Sequence, residues 1–556
     1  MKGKYALFCL AFSITVLLQA QQDASIRPMS WNYALGQDDV PAVNATPFDA
    51  QAAYEKDLLR EAEGKVPLYG RMCTVGASLF SHGAWTVLPN GDRIWRLKVI
   101  SPGALATDLF FEDFHLPPGA YMHVYDPQRT QVHGAFLDKH VQSHGYFTTD
   151  MIFGESCVIE YYEPLLVKGE GHFTITQVSH AYRMVGASSA ADTCEVDVNC
   201  SEGEGWQAQR DAVVRIRVVD PEGTGYCTGV LMNNTAQDCR PYILTAMHCA
   251  EESTVAHFNQ FVFRFGYQRA GCDSGQLLQG ANMNGCVKRA DSNDGGGNQG
   301  SDFLLLELND PLTADLVPYF AGWDVTNAPS PSGKGIHHPA GSMKKISTYT
   351  SATQSTSWGS ASGSHWRVRW VQTENGRGVT EGGSSGSPLF DPQRRVVGTL
   401  TGGASCCAIN GCGPSTGPNA WDYYGKISHH FFGNPNGPGQ KLRDWLDPNG
   451  GTNVFDGAYN PCGTLITVNE VRNDQRPEIH PNPNAGEFTV NYPNGVARAD
   501  RIEVSDLSGR VVHVATPRTM GKAQIDGSGW SAGTYLVSVI ANGVRYAGAK
   551  VTVEGR

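Results

Sequence analysis

Cysteine divides this chain more sharply than any other residue. Of 14 cysteines, Cys9 sits in an apolar leader and Cys73 and Cys157 lie far apart in the first third. The remaining eleven run from Cys194 to Cys462, and none follows. Such density is foreign to a reducing cytosol and ordinary in an oxidising compartment, so the middle of the chain reads as a disulfide-stapled domain. An odd eleven leaves one thiol free or paired outside its own cluster. Cys406, Cys407 and Cys412 are bunched, but no second Cys-x-x-Cys or histidine spacing completes a tetrahedral zinc set. No metal or cofactor is expected.

The leader agrees with export. In residues 1–20, Lys2 and Lys4 precede an apolar run from Tyr5 to Leu18, and Ala20 offers a small residue for cleavage, the pattern of a signal peptide. That run is shorter than the roughly 20 residues of a bilayer span, and no later run is long enough. The formal charge of −11 is spread over a low 17% of charged residues. No basic stripe appears, so a nucleic-acid partner is not expected. Glycine at 64 of 556 residues, with 30 prolines, points to many turns between short strands.

Three blocks follow the leader. Residues 21–186 hold short β-prone runs such as Trp95 to Ile100, Leu109 to Phe114 and Tyr121 to Tyr125, divided by Pro102-Gly103 and Pro117-Pro118-Gly119. Ala50 to Glu63 carries the clearest helical pattern, with Ala52, Leu58, Leu59 and Ala62 on one side. This block forms no polar constellation and is read as a β-rich prodomain. Residues 187–462 carry strand-sized runs at Ala212 to Val219, Gly229 to Met232, Tyr242 to Thr245, Phe261 to Phe265, Phe303 to Leu308 and Val396 to Leu400, a pattern suited to antiparallel barrels or sandwiches. Residues 463–556 contain further strand candidates at Phe488 to Tyr492, Arg501 to Val504, Val511 to Val514, Thr534 to Ile540 and Lys550 to Val553, enough for a small β-sandwich.

Three segments carry the candidate chemistry. Gly382-Gly-Ser-Ser-Gly-Ser-Pro-Leu-Phe390 sets serines among glycines, where consecutive backbone amides can turn toward a developing oxyanion. Ser384, Ser385 and Ser387 compete as nucleophile on these residues alone, and a serine-glycine run by itself is usually only a loop. Tyr242-Ile-Leu-Thr-Ala-Met-His248-Cys249 places a histidine after an apolar strand, and a bridge from Cys227 to Cys249 would hold its turn. Asp302 stands at the mouth of the apolar run Phe303 to Leu308, where a buried carboxylate needs a partner such as an imidazole N–H.

From Cys194 to about Pro448 the chain resembles the lysyl endopeptidase branch of the trypsin/chymotrypsin-like serine proteases. LTAMHC (244–249), SDFLLLELN (301–309), AGWD (321–324), IHHP (336–339), GGSSGSPLF (382–390), DYYG (422–425) and DWLDP (444–448) occur in that family's order. The resemblance implies a mainly β fold, a trypsin-like double β-barrel. It implies Ser385 as nucleophile, His248 as general base and then acid, Asp302 as its orienter, and the Gly383 and Ser385 amides as oxyanion hole. Asp422 would lie at the base of the primary specificity pocket, where an enclosed carboxylate selects a long cationic side chain. Trp358 matches an aromatic residue that stacks, with a second histidine, behind the catalytic one in lysine-specific relatives. Thr401 stands where that histidine is expected, in Leu400-Thr-Gly-Gly403, so an altered pH dependence is expected. The same match pairs Cys227 with Cys249, Cys200 with Cys272, and Cys194 with Cys407. It leaves Cys239, Cys286, Cys406, Cys412 and Cys462 unassigned.

The first block resembles the secretory propeptides of such enzymes, with a mature start between Arg183 and Ala191. No lysine lies in 187–191, so Lys168, Arg183 or another protease would serve in processing. The third block resembles the type IX secretion sorting domain of Bacteroidota. Its matching runs are Pro481-Asn-Pro483 with Gly486 to Val490, Val504 to Val512, and Ser531 to Val537. The implied product is a monomeric, secreted or surface-attached endopeptidase that passes the periplasm and outer membrane and cuts proteins or peptides after lysine. A broader Lys/Arg protease and a weakly active adhesion or binding protein on the same scaffold are the competing classes.

Overall fold

The structure is a computed structural model. It describes residues 26–554 except 38, 184–192, 279, 295–299, 313–315, 317, 409–414, 464–476, 493–498, 500, 507–510, 518, 542–543 and 546–547. The expected leader (1–20), the stretch 184–191 of the expected processing region and Cys412 lie outside the described residues. The chain divides into two compact units, Met1–Leu465 and Ile466–Arg556.

The larger unit is built almost entirely from antiparallel strands. The Val213–Val219 strand pairs on one side with Gly223–Met232 and on the other with Val262–Phe265. Gly223–Met232 continues to Tyr242–Thr245, which pairs with Leu304–Leu308, and that strand pairs with Cys286–Asp291. Ala281–Asn284 lies immediately before Cys286 and pairs back onto Val262–Phe265, so the ladder returns to its start. Gly285, at φ +78°, makes the bend, and a Cβ there would stand 2.4 Å from the Asn309 side-chain nitrogen, a conformation and a closeness that glycine alone tolerates easily. Val214, Ile216, Leu231, Ile243, Phe263, Leu304 and Leu306 fill the interior. A second, 9-stranded sheet runs Lys345–Tyr349, Gly333–His337, Pro388–Phe390, Val396–Gly403, Asp422–Lys426, Ala361–Val368 and Gln354–Trp358 along its main path.

The boundary near residue 186 is not a break in packing. The Leu68–Ser78 strand of the first block joins the edge of Gly223–Met232, with Leu68 opposite Gly225, Gly70 opposite Thr224 and Arg71 opposite Gly223. One 12-stranded sheet therefore spans both blocks. Val66 and Leu68 enter the same interior as Ile216 and Leu304, each buried side chain contributing about 1.5–3 kcal/mol. On its far side the first block closes a core of its own around Trp95, Phe111, Tyr161 and Phe173.

The helix expected near residue 50 is present as Ala50–Ala62, with the Asp49 carboxylate accepting from the Gln51 and Ala52 amides as N-cap. Its buried side differs from the apolar side read from sequence. Leu58 and Leu59 are exposed at 47% and 69%, while Asp57 and Arg60 are buried. Ion pairs to neighbouring strands and turns, absent from any local periodicity, reverse the expected orientation.

In the smaller unit, Glu478–His480, Glu487–Asn491 and Lys522–Asp526 form one sheet. Val511–Ala515, Arg501–Asp506, Gly533–Ala541, Val544–Arg545 and Ala549–Val553 form another. Phe488, Val490, Ile502, Val504, Val537 and Val551 pack between them, the alternate apolar positions of strands with one buried face.

Candidate active site

Strand register brings His248 and Asp302 together. Thr245 pairs with Leu304 in adjacent antiparallel strands. The chain leaving Thr245 turns through a short 3-10 element, Met247–Cys249, directly beside the residues that enter Leu304. Asp302 Oδ2 lies 2.7 Å from His248 Nδ1, and Oδ1 accepts the His248 backbone N–H at 2.9 Å. The Asp302 backbone N–H is itself held by Asp294 Oδ2 at 3.0 Å. Asp302 adopts φ +58°, in the left-handed region, while its carboxylate is fully buried against the ring. That backbone conformation is uncommon for a residue with a Cβ. Burial alone would lower the His248 pKa. The Asp302 charge and hydrogen bond outweigh it, helped by Glu251 and Asp294, and hold the pKa above the ordinary histidine value.

The serine-rich loop belongs to the second sheet but is tied to the first. Thr228, in the Gly223–Met232 strand, donates its N–H to Ser385 O at 2.8 Å and its hydroxyl to Gly383 O at 2.9 Å. A Cβ on Gly386 would stand 2.1 Å from Thr245 Oγ1 and 2.7 Å from Ala246 N, so only glycine lets the loop approach the histidine turn this closely. Cys249 Sγ, bonded to Cys227, lies 3.9 Å from Ser385 O.

Environment separates the three serines. Ser384 is buried and its hydroxyl is fixed by His337 Nδ1 at 2.8 Å, with His337 Nε2 in turn 2.9 Å from Ser347 Oγ. Burial, aided by the Lys345 charge, lowers the His337 pKa to about 3, which makes it a neutral strut. Ser387 is fully buried. Ser385 alone is half-buried, and among the described residues its hydroxyl makes no hydrogen bond. The Gly383 and Ser385 backbone N–H groups likewise have no acceptor among the described residues. Gly383 takes φ +95°, and a Cβ on it would stand 2.7 Å from Gly341 N and 2.9 Å from His338 O. The IHHP run thus serves as the floor of the serine loop.

Asp422 is wholly enclosed. Its Oδ2 accepts from Trp370 Nε1 at 2.6 Å, Thr380 Oγ1 at 2.8 Å and Ser405 Oγ at 2.6 Å, and its Oδ1 from Ser405 N at 3.1 Å. Burial raises its pKa while these donors oppose the rise. Gly403 faces it across the sheet, and a Cβ there would lie 1.8 Å from Oδ1, so only glycine leaves room for that oxygen. Thr380 lies shortly before Ser385 in sequence, so one short segment links the buried carboxylate to the serine loop.

Position 401, where the family resemblance implies an imidazole beside Trp358, carries threonine. The structure supplies an imidazole from another strand. His365 stacks on Trp358 with ring centres 5.8 Å apart and shares a 2.9 Å hydrogen bond with Thr401 Oγ1. Burial, against the pull of the Asp302 charge, lowers its pKa to about 4. Thr401 therefore holds a histidine instead of being one.

The three expected bridges, Cys194–Cys407, Cys200–Cys272 and Cys227–Cys249, are present. A further bridge joins Cys239 to Cys462, Cys406 is disulfide-bonded, and Cys286 is a buried free thiol.

Residues 188–425 match the family described as "Lysyl endopeptidase, C-terminal domain". This region is a lysyl-endopeptidase-like domain of the serine proteases. The chain also aligns with the lysyl endopeptidase of Pseudomonas aeruginosa, at 27% identity over 384 residues, 62% of this chain and 77% of that protein. Two solved structures are similar to it. Thermostable serine protease AL20 from an extremophilic microorganism has 14% identity and a TM-score of 0.29, covering 39% of this chain and 92% of its own. Protease Anisep from Arthrobacter nicotinovorans has 16% identity and a TM-score of 0.28, covering 39% and 90%. Residues 478–554 match the family described as "Secretion system C-terminal sorting domain", so the protease carries a type IX export tail. Among the described residues no helix is long and apolar enough to cross a membrane.

Proposed function

We propose that this chain is the precursor of an exported endopeptidase that hydrolyses peptide bonds on the carboxyl side of lysine. The reading rests above all on His248, pinned through Nδ1 to Asp302 while its turn packs against the loop that presents the unbonded Ser385 hydroxyl. With Nδ1 committed, Nε2 is the nitrogen left to take the Ser385 proton as Oγ attacks the scissile carbonyl. The carbonyl oxygen becomes anionic and is received by the Gly383 and Ser385 N–H groups, which have no other acceptor among the described residues. His248 then delivers its proton to the leaving amine, and the carbon–nitrogen bond breaks. Water, deprotonated by the same ring, hydrolyses the acyl-enzyme and restores the serine.

Asp422 supports the lysine preference. Three donors already converge on Oδ2, leaving one crowded acceptor beside Gly403, which suits a compact ammonium better than a wide guanidinium fork. The domain plan is a signal peptide at 1–20, a propeptide at 21–186, a double-barrel protease at 187–462 and a removable sorting domain at 463–556. Export through the periplasm and outer membrane would follow. In this plan the first block must leave before substrate enters. Lys65 and Val66 line a space with His248, Cys249 and Glu251 of only about 10 Å³, room for one water at most.

The test is a cleavage profile of the processed enzyme on peptides that differ only before the cut. Lysine should exceed arginine and all others in kcat/KM, and Ser385→Ala should abolish cleavage with an unchanged melting temperature. Asp422→Asn should cost lysyl substrates about 10²–10³-fold. Cleavage retained by Ser385→Ala, or lysine and arginine cut equally, would overturn the nucleophile or the specificity respectively.

A further inference from the structure

Elsewhere the first block gives Asp108 and Asp150 to arginines of the protease domain, but where residues 56–71 meet that domain the exchange of charge runs the other way. Arg60 donates to Asp220 Oδ2 at 2.8 Å and to Glu252 Oε2 at 3.1 Å. Lys65 Nζ donates to Glu252 Oε1 at 2.7 Å. Arg71 Nη1 and Lys56 Nζ each lie 2.8 Å from Glu222 Oε2. Every cation in this set belongs to residues 56–71, and every anion belongs to two turns of the protease domain. Burying Arg60 takes its charge out of water, a cost that the three carboxylates around it offset.

The backbone follows the charges. Residues 68–71 lie antiparallel on the edge Gly223–Gly225, which is bare of side chains at alternate positions. A Cβ on Gly223 would stand 2.0 Å from Gly70 O, and one on Gly225 would stand 2.8 Å from Pro67 O. The edge therefore accepts an extended polypeptide pressed close. Upstream, the same segment runs into the candidate chemistry. Lys65 and Val66 share a space with His248, and Pro67 Cγ lies 3.0 Å from where a Gly382 Cβ would be.

We propose that the Gly223–Gly225 edge, with Asp220, Glu222 and Glu252, is a binding site for extended cationic polypeptide. Arg60 and residues 65–71 occupy it in the full chain, and the substrate takes it once the first block has left. The inference rests on the catalytic reading above and adds a second specificity to it. Asp422 receives the residue before the scissile bond. The acidic turns flank the histidine that protonates the leaving amine, so they receive residues after that bond. Main-chain pairing supplies the docking mode, and the carboxylates supply the choice of basic side chains.

The test uses the full-length chain secreted and processed to its active form, with the serine blocked by phenylmethylsulfonyl fluoride. Its fluorescent probes are a peptide with the sequence of residues 60–71 and a copy carrying glutamine in place of Arg60, Lys65 and Arg71. At about 50 mM salt the native sequence should bind roughly tenfold tighter or better, and the two should converge near about 0.5 M salt as the charges are screened. In a Glu222→Gln/Glu252→Gln enzyme the difference should vanish. On unblocked enzyme, lysyl peptides followed by arginine should surpass those followed by alanine in kcat/KM by a similar ratio. Equal binding of the two probes, binding of neither, or a preference that survives the double variant would overturn the site. If the catalytic reading is what fails, alanine-followed lysyl peptides remain uncut whatever the probes do.

Discussion

A base that takes a proton from serine must be neutral when substrate arrives, so its pKa sets the acidic limit of activity. For His248 two opposing effects act, with burial favouring the neutral ring and the Asp302 carboxylate favouring the imidazolium, and the carboxylate wins. A raised pKa keeps the ring protonated to higher pH, which moves the acidic limb of kcat/KM upward. We expect that limb above about 6.5, the ordinary histidine value, in the processed enzyme. In Asp302→Asn the limb should fall, with kcat/KM down about 10⁴-fold because the ring loses its fixed tautomer. A pH profile of both forms on one lysyl peptide checks this, and a wild-type limb at or below about 6.5 would show that Asp302 does not govern the ring. His248, Asp302 and the serine-glycine loop stand out in the sequence because each sits in a short run of unusual composition. The choice of Ser385 among three serines, and Asp422, come only from the family resemblance. His365 does not stand out, since Ser364-His365-Trp366 resembles any half-buried strand, and its role arises only from the partners that the sheet sets beside it. Ser364, His365 and Trp366 are buried in succession, so Ala361–Val368 offers no alternation from which the surroundings of His365 could be read.

At the scale of elements, strand positions were readable and orientations less so. The runs at 213–219, 242–245 and 304–308 are mostly apolar and buried at every position, a signal that survives without any knowledge of register. The helix Ala50–Ala62 misled because its buried face is charged. What makes that face worth burying, Asp220 and Glu252, lies far along the chain, well beyond the reach of any pattern within the helix. The turn carrying His248 is the element whose position matters most, and the Cys227–Cys249 bridge restrains it. In a chain-entropy account a loop of this size is worth about 3 kcal/mol. Replacing both cysteines by alanine should therefore lower the urea midpoint of the protease domain. It should also reduce kcat further than KM changes, because a base displaced by an ångström loses much of its rate advantage. Unfolding curves and kinetics on the same preparation separate the two effects. An unchanged kcat in a destabilised enzyme would assign the bridge to stability alone.

At the scale of the molecule, composition predicted three blocks after the leader, whereas packing makes two units. The missing boundary is a matter of hydrogen bonds. The first block lends the Leu68–Ser78 strand to the protease domain's sheet and Val66 and Leu68 to its interior, and neither loan leaves a trace in local sequence. The boundary at the other end was legible because cysteine stops at Cys462 and a new apolar alternation begins near Ile479. Units that each own a core are expected to fold separately, and among the described residues Ile466–Arg556 closes a core of its own around Phe488, Ile502, Val537 and Val551. A chain ended after Leu465 should accordingly reach the same specific activity on lysyl peptides after processing, and the same melting temperature for the protease domain. It should no longer appear in the medium or at the surface of its producing cell, because the part matching a sorting domain is gone. Fractionation of cells expressing both forms, with activity assayed in each fraction, reads the two properties independently. A truncated form that is exported normally would dissociate the tail from sorting, and one that is retained but inactive would show that the protease depends on a unit whose core it does not share.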